Sequence, residues 1–282
     1  MIDPILVLTS AAGVSDAVLA RARAAGGTVR RLAPTAAEVA GEMEGLRAVL
    51  GEEMIDFNII PAAGREKRLL IADMDSTMIP VECIDEIADF AGVKPQVSDI
   101  TERAMRGELD FEAALCARVA LLKGLPESVL EETYRTRISL NPGARTLVRT
   151  MAARGAMTAL VSGGFTYFTE RVAAEAGFAV HQANTLIFED GKLTGAVKLP
   201  ILGREAKREA LLKLCSEAGI TPAEAIAVGD GANDLAMVEL AGLGVAYKAK
   251  PALAEEADAR ITHGDLTALL SLQGIGAENY AV

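Results

Sequence analysis

Four short apolar runs constrain this chain more than any other feature: LLIA at Leu69–Ala72, MTALV at Met157–Val161, AIAV at Ala225–Val228 and LGVAY at Leu243–Tyr247. Each ends in small or acidic residues and leads into a segment of helical apolar spacing. A run with no polar position has no face for solvent, so it reads as a strand covered on both sides. Such strands alternating with amphipathic helices build a parallel sheet between helical layers. The expected core is therefore a doubly wound, Rossmann-like α/β sheet, in which ligands gather at the carboxyl ends of the strands.

Between the first two runs lies a long stretch, about 86–140, that includes TERAMRGELDFEAALCARVALLKGLPESVLEETY. Its apolar spacing is helical, punctuated by Gly107, Gly124 and Pro126, and it reads as a helical insertion able to cover a site as a cap. Ahead of the first run, ILVLT and FNII look like strands, while Ala17–Ala25 and Ala36–Leu50 look helical. That pattern suggests a small α+β module over residues 1–66. The stretch PAAGREKR mixes proline, glycine and clustered charge as a linker does, leaving 67–282 for the main domain. Two units suit 282 residues.

A formal charge of -11 repels phosphate backbones and anionic lipid, which argues against nucleic acid and membrane as partners. An anionic substrate would have to be captured by local positive charge. Cys83, Cys116 and Cys215 are widely spaced without a C-x-x-C pair, so neither a zinc knuckle nor a disulfide framework is indicated. A reducing cytoplasm fits them best. The first residues carry a short apolar run but no basic residue before Arg21, and no apolar stretch approaches a membrane-spanning length, so export is not expected.

The strand ends deliver polar residues to one edge. The first run offers Asp73 and Asp75, the second Ser162, Gly163 and Gly164, and the third Asp230, Asn233 and Asp234; Lys207 lies in the helical segment before the third run. Aspartates gathered in a crevice repel and lose hydration, at a cost of several kcal/mol unless a cation compensates. Few hard oxygen ligands suit Mg²⁺, which keeps some of its waters and bridges to phosphate, so a phosphorylated substrate follows. A calcium loop counted from Asp73 fails, since Thr77, Met78 and Ile84 stand where Asp or Asn, Gly and Glu are needed. The glycines of VSGGF open the helical segment TYFTERVAAEAG, whose amides could hold a phosphate beside Ser162. Leu160 rules out a G-x-S-x-G elbow, and His181 and His263, the two histidines, give little support to a Ser-His triad. No G-x-x-x-x-G-K-[ST] occurs, and Asp234 replaces the third glycine of a dinucleotide fingerprint.

With these residues assembled, the sequence resembles the haloacid dehalogenase superfamily, and within it the branch acting on phosphoserine. DMDST, VSGG, Lys207 and VGDGANDLAM match its four motifs in order, over about Leu69 to Pro251. AMRGELDFEAALCARVALLKGL is similar to that branch's substrate-covering cap. The resemblance implies hydrolysis of phosphoserine to serine, with Asp73 as nucleophile and Asp75 as acid and base. It also implies that Mg²⁺ is held by Asp73, by Asp75 through its backbone carbonyl and by Asp230, with Asp234 supporting. By the same resemblance Ser162, Gly163 and Lys207 bind phosphate and Asn233 contacts it or orders the site. Glu82 would meet the substrate ammonium and Arg118 its carboxylate, with Met105 and Phe111 beside them. Related phosphatases carry an ACT-like, amino-acid-binding domain ahead of the catalytic part, to which the N-terminal module compares. Valine at position 81, where the family favours isoleucine, leaves the role of Glu82 intact. Hydrolysis of a different small phosphate, phosphoryl transfer to another acceptor such as homoserine, a non-catalytic amino-acid sensor, and assembly as a homodimer stay open at this level.

Overall fold

The computed structural model describes residues 4–42, 45–46, 54–105 and 108–281, with the side chains of residues 104 and 105 outside that description. The N-terminal segment forms β1 (Pro4–Thr9), α1 (Asp16–Ala24), β2 (Thr28–Ala33), β3 (Ala36–Ala40) and β4 (Asp56–Pro61). Among the described residues these strands make an antiparallel sheet of order β2-β3-β1-β4, as a small α+β unit requires. In β1, Leu6 and Leu8 pack under α1 with Val18 and Leu19, whereas Ile5 and Val7 on the other face join the core of the main domain. Burial on both faces explains why Ile5 to Leu8 are all apolar.

The helix expected over Ala36–Leu50 is corrected at its start, because Ala36–Ala40 is strand β3, bonded to β1 on one edge and β2 on the other. Alanine's helical preference is worth only tenths of a kcal/mol per residue, and two ladders with buried Ala37 and Val39 outweigh it. Residues 43, 44 and 47–50 of that expected helix lie outside the described residues. β2 was not anticipated, since TVRRLA carries two arginines; Arg30 faces Glu38 across the ladder and pairs with it.

The main domain opens with β5 (Leu69–Ala72), continues through α2 (Cys83–Phe90), α3 (Lys94–Met105), α4 (Phe111–Ala120), α5 (Ser128–Arg137) and α6 (Ala144–Ala153), and returns in β6 (Met157–Phe165). It proceeds through α7 (Thr166–Ala176), β7 (Val180–Asn184), the hairpin β8 (Leu186–Glu189) and β9 (Lys192–Val197), and α8 (Arg204–Glu217). Next come β10 (Ala225–Gly229), α9 (Leu235–Leu240), β11 (Leu243–Tyr247), α10 (Pro251–Glu256), β12 (Ala259–Ile261) and α11 (Ala268–Leu272). The sheet runs β12-β11-β10-β5-β6-β7 with every pairing parallel. Side chains alternate between two cores: Leu70, Ala72, Ile226 and Val228 pack on one face with α2 and α6, and Leu69, Ile71, Ala225 and Ala227 on the other with α8 and α9. The chain leaves β5 for β6 on one side and later fills β10 on the other, so the switch of direction, where ligands bind, lies at the end of β5.

The hairpin β8–β9 clasps the cap, a connection that the sequence did not suggest. Gly124 N–H donates to the Leu193 carbonyl at 2.7 Å, Leu193 N–H to that of Leu125 at 2.8 Å and Glu127 N–H to that of Gly191 at 3.1 Å. The N-terminal sheet is fastened to the edge strand β12. The Asn58 side chain exchanges two hydrogen bonds with the Arg260 backbone at 3.0 and 2.7 Å. Buried Asp56 accepts from the successive amides of Thr262, His263 and Gly264 at 2.7–3.2 Å. Even the linker is tied down, for Lys67 is buried and its ammonium donates to the carbonyls of Gly64 and Ala223. No described helix is long and apolar enough to cross a membrane.

Candidate active site

Asp73 is the first residue beyond β5, and its N–H continues the ladder by donating to the Val228 carbonyl at 3.0 Å. The chain then makes a wide turn, Met74–Met78, closed by the Ile79 amide on the Met74 carbonyl at 3.1 Å. Ser76 sits in the left-handed region at φ 56, a conformation that costs a serine on the order of 1 kcal/mol and is tolerated where surroundings enforce it. Here its N–H donates to the Val81 carbonyl at 3.3 Å and its hydroxyl to Glu82 at 2.6 Å. The turn parts the two aspartates. Asp73 is met by Asn233 Nδ2 at 3.2 Å and Lys207 Nζ at 2.7 Å, whereas Asp75 accepts from the Cys83 amide at 3.0 Å and the Ser162 hydroxyl at 3.4 Å.

Ser162, Gly163 and Gly164 leave the ladder. Val161 pairs with Gln182 and Phe165 with Asn184, so three residues of β6 oppose Ala183 alone, a bulge that frees backbone amides beside a site. Gly164 N–H caps the Ser162 hydroxyl at 2.9 Å. A methyl group on Gly164 would stand 2.6 Å from Asp75 Oδ2, so only glycine fits there.

The loop after β10 is organised by Asp234. One of its oxygens accepts from the amides of Asp230 and Gly231, both at 3.1 Å, and the other from Lys207 at 2.5 Å. Lys207 projects from α8, fully enclosed, and bridges Asp73 to Asp234. Among the described residues Asp230 is ion-paired only with the exposed Lys250, at 3.6 Å.

One oxygen from each of Asp73, Asp230 and Asp234 lies within 4.8 Å of the other two. Three buried carboxylates against one buried ammonium leave negative charge in excess, and a cluster of hard oxygen donors fits a divalent cation. Asp75's carboxylate is held instead by the Cys83 amide and the Ser162 hydroxyl. Burial and the Asp234 charge hold Asp73 well above the ordinary carboxylate range, against the pull of Lys207. Burial would lower Lys207, but Asp234 and Asp73 overcome it and keep the ammonium firmly protonated. Burial lifts Asp75 to about 7, with Glu82 adding to the rise, and lifts Asp230 to about 6. A carboxyl near 7 can both give and take a proton at neutral pH.

From the cap, Phe111 reaches down on the glycines: a methyl on Gly163 would lie 3.0 Å from its ring. Arg118 on α4 is held by the Ala114 carbonyl at 3.3 Å and the Thr101 hydroxyl at 3.5 Å. Burial lowers its pKa, opposed by the negative charges of Asp85, Glu82 and Asp75. The side chain of Met105 lies outside the described residues. Two residues near the site had no motif to announce them: Asp85, one turn into α2, and buried Asn184, which bonds Gly163 and Leu202. His181 is exposed and pairs with Thr169, far from any nucleophilic role, and His263 gives its amide to Asp56.

A family model described as haloacid dehalogenase-like hydrolase matches residues 67–242. The chain belongs to the haloacid dehalogenase-like hydrolase family. A relative from Polaromonas sp. named phosphoserine phosphatase is 51% identical over 210 residues, 73% of this chain and 89% of that one. Another phosphoserine phosphatase, from Archaeoglobus fulgidus, is 48% identical over 76% of this hydrolase, which spans only 62% of the relative's length. A haloacid dehalogenase family hydrolase from Salmonella enterica serovar Typhi superposes with a TM-score of 0.84 at 33% identity, over 95% of this chain and 98% of that one. That superposition takes in the N-terminal sheet as well as the hydrolase core.

Proposed function

We propose that this hydrolase is a Mg²⁺-dependent phosphatase that converts O-phosphoserine to serine and phosphate through an aspartyl-phosphate on Asp73. The observation that carries the reading is the division of labour between the two aspartates: Asp73 lies 2.7 Å from a buried ammonium, and Asp75 beside it has its carboxyl at about 7. The relatives named phosphoserine phosphatase support the substrate.

Asp73 and Asp230 would hold the cation, with Asp234 bracing the loop, and Mg²⁺ would supply positive charge to the phosphoryl oxygens and to Asp73 itself. The Lys207 ammonium, the Ser162 hydroxyl and the Gly163 amide orient the phosphoryl group for in-line approach. An Asp73 oxygen bonds to phosphorus as the bond to the serine oxygen breaks, and Asp75 gives its proton to that leaving oxygen. A water then attacks phosphorus, Asp75 takes back a proton, and phosphate leaves with Asp73 restored. Arg118 offers a paired fork to the substrate carboxylate, and Glu82 complements its ammonium. The free thiols of Cys83, Cys116 and Cys215 support a cytoplasmic setting. The family match beginning at residue 67 supports a boundary between N-terminal module and catalytic domain in 61–68.

Phosphate release from a panel of esters, with and without Mg²⁺, tests the reading. Phosphoserine should exceed phosphoethanolamine, which lacks the carboxylate, by about tenfold or more in kcat/KM, a chelator should silence the enzyme, and Asp73→Asn should abolish turnover. Equal rates on esters lacking amino and carboxylate groups would overturn the substrate assignment, and unchanged turnover in Asp73→Asn the nucleophile.

A further inference from the structure

Asn184 is the last residue of β7, buried, and its carboxamide reaches two segments that the backbone ladder does not join. Its Nδ2 donates to the Gly163 carbonyl at 2.8 Å and the Leu202 carbonyl at 3.3 Å, and its Oδ1 accepts from the Leu202 amide at 2.7 Å. Both N–H groups and the carbonyl are therefore engaged, which fixes the side chain.

The consequence on the glycine side is specific. The peptide unit between Gly163 and Gly164 is gripped at both ends, its oxygen by Asn184 and its N–H by the Ser162 hydroxyl at 2.9 Å. Having accepted that bond, the Ser162 hydroxyl directs its own proton to Asp75 at 3.4 Å. On the other side, Leu202 is followed by Gly203 and then by α8, which carries Lys207. The two segments have a common visitor, the Phe111 ring. A methyl on Gly163 would be 3.0 Å from Phe111 Cζ, and one on Gly203 would be 3.4 Å from Cδ1. The ring thus spans both glycines, and Asn184 is the side chain tying their strands of chain together.

We propose that Asn184 is a positioning residue: it holds the Gly163 and Gly203 segments at the one spacing across which Phe111 of the cap seats, and so couples cap seating to the phosphate-binding loop and Lys207. The inference rests on the phosphatase reading only in that Gly163 and Lys207 face the phosphoryl group. A buried asparagine that merely satisfied nearby backbone would lower stability when lost, but would do so without regard to Phe111.

A double-mutant cycle separates the two. Asn184→Ala and Phe111→Ala are made singly and together, and kcat/KM is measured with Mg²⁺ on phosphoserine and on p-nitrophenyl phosphate. Asn184→Ala alone should lower kcat/KM about tenfold, chiefly through KM, whereas in the Phe111→Ala background it should cost less than about twofold. Asn184→Asp keeps the shape and the acceptor for the Leu202 amide while losing both donors; it should show the same coupling and serves if the alanine variant does not fold. Full losses that add in the double variant, or no loss from Asn184→Asp and Asn184→Ala, would overturn the role. Coupling seen on p-nitrophenyl phosphate without turnover of phosphoserine would instead sustain it and sink the substrate reading alone.

Discussion

Replacing Asp230 by asparagine should stabilise the metal-free protein by an amount that grows with pH. Asp230 is only 6% exposed, and burial raises its carboxyl from 3.8 to about 6. Because the folded value lies above the unfolded one, folding favours the protonated form. The burden is absent below about 3.8, grows as pH rises through the window, and is complete above about 6. At about 1.4 kcal/mol per pH unit it reaches about 3 kcal/mol at pH 8 and about 1 kcal/mol at pH 4.5. Asparagine keeps the shape without the charge. The pull of Lys250 toward the ionised form already acts in that folded value. The gain is therefore about 3 kcal/mol at pH 8 and about 1 kcal/mol at pH 4.5. With an unfolding entropy of about 2 cal/mol/K per residue, the pH 8 gain raises Tm by about 5 °C. Urea and thermal unfolding in chelator at the two pH values measure it. Saturating Mg²⁺ should reverse the order, because a ligand at 1,000 times its Kd adds about 4.1 kcal/mol to a protein that binds it and nothing to one that has lost the site. Should Asp230→Asn prove no more stable than the parent at pH 8 in chelator, the charge burden assigned to this residue is wrong.

Three further outcomes follow from the geometry. Gly229→Ala would place a methyl 2.3 Å from the Asp234 carboxyl, forcing that side chain off the Asp230 and Gly231 amides; kcat/KM on phosphoserine should fall by about 100-fold or more. Asp56→Ala leaves the Thr262, His263 and Gly264 amides without their acceptor and should cost about 2–4 kcal/mol in urea unfolding while kcat stays within about twofold. Asp75, lifted to about 7 by burial, must be protonated to expel serine, so turnover of phosphoserine should decline about tenfold per pH unit above 7. p-Nitrophenyl phosphate, whose leaving group needs no proton, should hold level over the same range.

The strands at the centre of the main sheet were legible because β5, β6, β10 and β11 are covered on both faces and their sequences contain little else but apolar residues. The edges were not. In β7 the first three residues are exposed and the strand reads VHQAN, while β12 is three residues long and gains its place through Asn58 and Asp56 of the N-terminal sheet. β3 was mistaken for helix for a related reason: what makes it a strand is two neighbours far along the chain, which no local preference of alanine can register. Asn184 has no local signal for the same reason, lying 21 residues beyond Gly163, whose carbonyl it holds.

The pair Asp73 and Asp75 shows where spacing ends and geometry begins. Residues two apart on a strand point to the same side, so the D-x-D pattern by itself would aim both carboxylates at one point and give them one environment. The chain leaves extended geometry at Met74, between the two, and that turn breaks the periodicity, while the bond from the Ser76 hydroxyl to Glu82 holds its far side. Asp73 consequently meets Lys207 and the acids beyond β10, and Asp75 meets Ser162 and the start of α2. Distinct surroundings are what allow two chemically identical side chains to act as nucleophile and as proton carrier. The turn that begins between the two aspartates is thus a condition of the chemistry.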